Sequence, residues 1–282
     1  MNARGVSRAT LAAAAAGAIL TMALAASPAE GGTLSYTGSL QMARGTYIFT
    51  QPTSGYFFFN GLRFSSSSFS LAATIPVIYQ NTPYVSYTGL GVLPSGGTES
   101  SSVNQRQGRE PVLVPEIVEY NQYGIGDPVI TAGLTLVKEG RSLPAVQISG
   151  TIKAPLASVE RGFGTGEWDY SAGLGLSKRL GQVFLFADVS YWILGDLPEL
   201  ELKNAWSYAF SFGHAFSGGK LALMASYSGI TEVIAGVAPP SSLGLGFSVR
   251  AGAASSLMLN AAVGLSEASP DLSLSVGWSI GL

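Results

Sequence analysis

His214 is the only histidine in a chain of 282 residues that has no cysteine. Those two counts decide most of the chemistry open to the protein. Without thiols there are no disulfides, iron–sulfur clusters, cysteine nucleophiles or thiolate metal sites, and one imidazole cannot build a histidine metal cluster. A serine hydrolase would need His214 beside a serine and a polar orienting group. Ser211 and Ser217 are near it in sequence, but His214 shares its alternation phase with the apolar Phe210 and Phe212. That phase turns it outward, where an interfacial ring is expected rather than a general base. Gly162-Phe163-Gly164-Thr165-Gly166 has the glycine density of a phosphate loop. No lysine follows at the required spacing and no helix is predicted after it, so nucleotide binding is rejected. Asp188 and Asp196 lack the spacing of a calcium loop. No catalytic residue, metal site or cofactor is expected.

What remains is charge, and there is little of it. Charged residues make up 11% of the chain, against a usual ~25%. The formal charge is −2, and no basic stripe suits a nucleic acid. Hydrophobic residues are 47%, too many for a disordered chain. A soluble globule would also need a more charged skin than this.

The elements that position these few charges are strands. Leu272, Leu274, Val276, Trp278, Ile280 and Leu282 alternate with Ser273, Ser275, Gly277, Ser279 and Gly281. Alternate side chains of a strand point to opposite faces, so one face is apolar and the other small and polar. The same alternation runs through 146–153, 168–177, 206–213, 243–250 and 257–266. A soluble sandwich also alternates. Here, however, the polar face is Gly, Ser and Ala rather than Lys, Glu and Arg, which reads as a lumen. Segments of ~10–14 residues exceed the usual ~5–6 of globular strands and suit a tilted bilayer crossing. Lipid leaves no free sheet edge satisfied, so such a sheet must close. The fold class is therefore all-β: a transmembrane, antiparallel, up-and-down β-barrel.

Strands are predicted near 33–43, 55–64, 67–79, 126–138, 143–154, 166–179, 181–193, 200–215, 219–231, 240–252, 256–266 and 270–282, about twelve and an even number. Short connectors at 65–66, 138–141, 179–181, 217–219 and 253–255 read as periplasmic turns, and most of the others are longer and read as extracellular loops. The longest, about 80–125, either folds into the lumen or caps the mouth, or is a surface loop. A bulge or an edge-like site is expected at Gly45–Phe49 and at Pro76. Residues 1–29 read as a Sec export signal, with Arg4 and Arg8 ahead of an apolar run from Thr10 to Ala26, small residues at Ala23-Leu24-Ala25 and a second candidate cleavage site at Ser27-Pro28-Ala29. The barrel then occupies 30–282.

By alternation Asp127, Lys153, Asp169, Asp188 and Arg250 face the lumen, with Glu167 at a strand end. An outward Lys or Arg at mid-depth would cost ~2–4 kcal/mol. These groups either set solute selectivity or pair with one another and brace the wall. Phe184, Phe186 and Trp192 share the phase of Asp188 and would form an apolar lumenal patch. The opposite assignment would turn Val183, Leu185 and Tyr191 inward.

Several short motifs carry a resemblance. Gly124-Ile125-Gly126-Asp127 opens a strand, Gly150-Thr151-Ile152-Lys153-Ala154-Pro155 closes the next, and Gly164-Thr165-Gly166-Glu167-Trp168-Asp169-Tyr170 precedes Leu176-Ser177-Lys178. Gly264-Leu265-Ser266 and Ser269-Pro270-Asp271 then lead into the last strand. In this order they resemble the outer-membrane transporter family named for meta-pathway phenol degradation, best from about 120 to 282. The chain departs from that pattern in Ala154-Pro155-Leu156 and in ending on Leu282 rather than an aromatic residue. The resemblance implies passive uptake of small hydrophobic or aromatic compounds and carries over no catalytic residue. The expected protein is a monomer in outer-membrane lipid. It is inserted by the barrel-assembly machinery through its C-terminal strand, and its partner is a small hydrophobic solute. A structural or adhesive barrel without transport is the alternative.

Overall fold

A computed structural model describes residues 31–47, 52–82, 85–94, 121–196, 201–252 and 255–282. The segment read as an export signal lies outside them, as do 48–51 and 95–120. Fifteen strands follow in chain order among the described residues. They are β1 (Thr33–Gly45), β2 (Thr53–Ser65), β3 (Phe69–Gln80), β4 (Val85–Thr88), β5 (Gly91–Pro94), β6 (Gln122–Ile125), β7 (Val129–Val137) and β8 (Ala145–Lys153). Then come β9 (Asp169–Leu180), β10 (Val183–Ile193), β11 (Ala205–Phe216), β12 (Leu221–Ile230), β13 (Ser241–Arg250), β14 (Ser256–Gly264) and β15 (Leu272–Gly281).

Each wall strand pairs antiparallel with its sequence neighbours, and β1 pairs with β15 from Ser35↔Gly281 to Arg44↔Leu272. That pairing closes the sheet. β6 and β7 both pair with β3 and act as one interrupted wall strand, so the closed barrel has twelve staves. Closure satisfies every edge, as an apolar solvent demands.

The sequence alternation is the wall's inside–outside pattern. On β15, Leu272, Leu274, Val276 and Ile280 are exposed on the outer face. Leu40, Leu62, Phe210, Leu223, Leu245 and Leu259 are exposed on the same outer face of their strands. In water such a skin would aggregate; in lipid it is the required surface.

Pro76 sits where the wall is irregular. Thr74 pairs with Val129 and Val77 with Ile125. Ile75 and Pro76 therefore oppose three residues, Gly126, Asp127 and Pro128, which is a bulge on the partner strand. Proline has no N–H for the ladder, and here its carbonyl still accepts a bond from Gly126 N at 2.8 Å. The continuous strand predicted over 126–138 is corrected accordingly. Pairing starts at Gln122 and breaks at 126–128, because the bulge is needed to turn Asp127 inward.

Candidate functional site: the lumen and its inserted hairpin

β4 and β5 form a hairpin inside the barrel, at the rim that carries the longer connectors. In such barrels that rim is extracellular. A tight turn at Gly89–Leu90 joins the two strands, and the Thr88 hydroxyl accepts from Leu90 N and donates to Gly91 O. A free two-stranded hairpin is marginal at best; this one is held by the walls. Tyr87 packs against Phe57 and Phe59 of β2, ring centroids 6.1 and 5.9 Å away. Leu93 and Leu90 pack on the other side with Trp192, Leu194, Leu202, Val233 and Ile234. The strand pattern of four residues each was too short to predict within the 80–125 connector.

Under the hairpin tip lies a buried ion triad. Lys153 Nζ donates to Asp127 Oδ2 at 2.9 Å and to Thr165 Oγ1 at 2.6 Å, and lies 3.2 Å from Asp169 Oδ2. Asp127 Oδ1 also accepts from Leu156 N and Ala157 N, both at 2.8 Å. Asp169 accepts from Gly195 N and from Gly89 N, each at 2.9 Å. All three charged side chains are 0% exposed, so they touch no solute in this arrangement. The triad links the β6–β7 bulge, the connectors after β8 and β10, and the hairpin tip. A buried charge group of this kind is tolerable only when it is fully paired and hydrogen-bonded, and this one is. Its geometry is that of a brace.

Gly89 makes the docking possible. A Cβ there would lie 2.5 Å from the Trp192 ring and 3.3 Å from Asp169 Cβ. Gly89→Val is therefore expected to lift the hairpin tip while leaving the twelve staves paired. Single-channel conductance in planar bilayers should rise; an unchanged conductance would mean that the tip does not control the opening.

Tyr87 adds a pH dependence. Burial, followed by the nearby Asp127 carboxylate, pushes its phenol up to about 12 from an ordinary ~10. The docked state favours the neutral phenol. Docking is thus at full strength below about pH 10 and weakens as pH rises through about 12. Conductance should climb over that window, and Tyr87→Phe should remove most of the climb.

Beside the hairpin the lumen keeps an open space of about 420 Å³, lined by Gly89, Asp188, Trp192, Ser207 and Ala209 among others. The periplasmic half holds two adjoining spaces of about 450 and 650 Å³ that share Ser256 and Met258. Asp188 lines the upper space and Phe186 the lower one, so the boundary between them falls on β10. A larger concavity, about 1030 Å³, is lined mainly by outward residues such as Leu40, Tyr56, Phe212 and Leu245; it belongs to the lipid-facing wall.

The remaining candidate residues fall in different places. Asp188 pairs across the sheet with Gly175 and Ala209 and faces the lumen. Its phase carries Phe184 and Phe186 inward, with ring centroids 5.7 Å apart. Val183, Leu185 and Tyr191 point outward. Trp192 also faces inward but is 8% exposed and lies in the cluster under the hairpin tip, apart from the two phenylalanines. Its Nε1 donates to Ser207 Oγ at 3.0 Å. Arg250 lines the lower space, and Glu167 is exposed on the rim. Ser211 faces the lumen while His214 lies outside, its ring 4.5 Å from that of Phe216, so the wall itself separates them. Sequence reading passed over Arg63, Arg179 and Lys220, which line the lower spaces. The alternation that places Leu62 and Phe64 outward was the signal for Arg63.

A family described as the MetA-pathway of phenol degradation matches residues 37–280. The COG4313 outer membrane channel from Pseudomonas putida F1 superposes with a TM-score of 0.62 at 13% identity, covering 90% of this chain and 98% of that one. A structure described as the KdgM porin superposes with a TM-score of 0.50 at 6% identity, covering 88% and 99%. At these identities the likeness is one of fold. No curated protein matches the sequence.

Proposed function

The chain belongs to this phenol-degradation family, and on that premise we propose that it is a channel for passive passage of small hydrophobic or aromatic molecules across the outer membrane. The observation that carries the reading is the lumen. It is a closed outer-membrane barrel narrowed by an apolar hairpin, with spaces large enough for a single ring above and below the level of Asp188 and Phe186. The similar COG4313 structure is described as an outer membrane channel. The protein supplies a lined path and no bond-making chemistry. One closed barrel completes the path, so the working unit is a monomer. Its final strand β15, apolar on the outer face, is the element offered to the barrel-assembly machinery.

The test is influx into liposomes whose outer leaflet carries lipopolysaccharide, since apolar solutes cross bare phospholipid readily. Labelled toluene should enter faster than into protein-free vesicles, and sucrose should not. Influx of both solutes would make the protein a general pore. Influx of neither, with a demonstrably folded barrel, would favour the structural or adhesive reading, which the hairpin-narrowed upper lumen also suits.

A further inference from the structure

The lumen is electrically lopsided. In the upper space, Asp188 is the single charged lining residue, whereas the lower spaces hold Arg63, Arg179, Lys220 and Arg250. Among the described residues none of these four cations has a carboxylate partner, the ion pairs there being the Lys153 triad, Lys178–Glu139 and Lys203–Glu232; Arg179 Nε donates to Gly181 O at 3.0 Å and leaves its terminal nitrogens for a ligand. Glu139 borders the same space, but it is engaged by Lys178 at 3.5 Å and accepts from Arg179 N at 2.7 Å. Three of the cations surround one space. Arg250 N donates to Lys220 O at 2.7 Å, so those two side chains start from adjoining backbone, and Arg179 pairs across the sheet with Phe184.

The same space has an aromatic wall. Phe184 and Phe186 are tilted at 58° to each other, and the Phe184 ring lies directly over Gly213, where a Cβ would collide with it. The glycine lets the ring lie against the wall and leaves its other face toward the lumen. Met258 borders the space from β14.

We propose that this periplasmic half of the lumen is a binding site for an aromatic carboxylate, the ring resting on Phe184 and Phe186 and the carboxylate held by Arg179, Lys220 and Arg250. The inference rests on the channel reading above and narrows its solute class. A neutral hydrocarbon needs none of these cations. Arginine presents a fork that matches a carboxylate, and low-dielectric walls focus the field of unpaired charges into the channel between them. Rings of Arg and Lys are the usual means of admitting anions. Asp188 stands above the site as a barrier to the same anion, so Asp188→Asn should speed benzoate influx.

Equilibrium dialysis of the folded protein in non-ionic detergent, with labelled benzoate, tests the site without requiring transport. Binding should saturate, and acetate or benzyl alcohol should compete about tenfold less well, since each lacks one half of the ligand. Binding should weaken as salt rises from about 0.05 to about 1 M, as a charge-driven contact must. R179Q/K220Q/R250Q should lose about tenfold or more in affinity, and F184L/F186L should lose benzoate affinity with folding verified by gel mobility before and after heating. If the triple variant does not fold, Arg250→Gln and the salt series carry the test. Benzoate binding that is absent, insensitive to salt or no better than that of benzyl alcohol overturns the inference. Toluene influx by the unmodified protein is scored separately, so a normal influx with no benzoate site sinks this inference alone, and no influx of any aromatic solute sinks the channel reading.

Discussion

Lys153→Met is expected to destabilise the extracellular half of the barrel by about 3–5 kcal/mol, the usual effect of removing one partner from a buried charge group. The substitution leaves Asp127 and Asp169 facing each other with neither exposed to solvent. One or both must take up a proton or open a path to water. Either response weakens the bonds that Asp127 makes to Leu156 N and Ala157 N and that Asp169 makes to Gly89 N and Gly195 N. The hairpin shares no ladder with the wall strands, so its tip should leave first. Urea unfolding in detergent should show a lower midpoint, and bilayer recordings a larger conductance. Asp127→Asn and Asp169→Asn added to Lys153→Met should recover part of the stability, because the carboxamides keep most of the acceptors without the charge. A variant with unchanged midpoint and conductance would show that the triad holds nothing in place.

Replacing residues 82–120 by a short Gly-Ser linker is expected to give the largest functional change. Gln80 and Gln122 are paired to each other, so a short linker can join β3 to β6 without strain. The twelve staves pair without help from β4 or β5, and the barrel should still fold. The space vacated lies across the upper lumen, between Phe57 and Phe59 on one wall and Trp192 on the other. Sucrose influx into lipopolysaccharide-bearing liposomes should rise by about tenfold or more, turning a selective path into a general pore. Sucrose exclusion equal to that of the unmodified protein would place the barrier elsewhere in the lumen.

The wall was legible in the sequence because a strand crossing a membrane shows its environment at every second residue. β15 was bounded to within two residues by Leu272 to Leu282 alternating with small partners. The same logic placed Asp188, Phe184 and Phe186 on one side. It broke down where the chain stops being wall. Val85–Thr88 and Gly91–Pro94 are buried or half-buried inside the lumen and show no lipid-facing phase. The pairing of Asp127, Lys153 and Asp169 depends on four connectors meeting at one point. Alternation gave their common inward direction but not that they would bury one another. Lys220 was hidden for a further reason: it belongs to a turn, where a two-residue period has no meaning.

A cysteine-free chain allows the path itself to be tested. Ala209 faces the upper space, while Ala225 pairs with Phe212 and Leu245 on the lipid face. Ala209→Cys, labelled with a bulky maleimide, should bring toluene influx into lipopolysaccharide-bearing liposomes down to the protein-free background. Ala225→Cys labelled in the same way should carry toluene as the unlabelled protein does. Toluene influx that persists at full rate with the label on residue 209 would contradict the account, because the solute would then be crossing without the lumen.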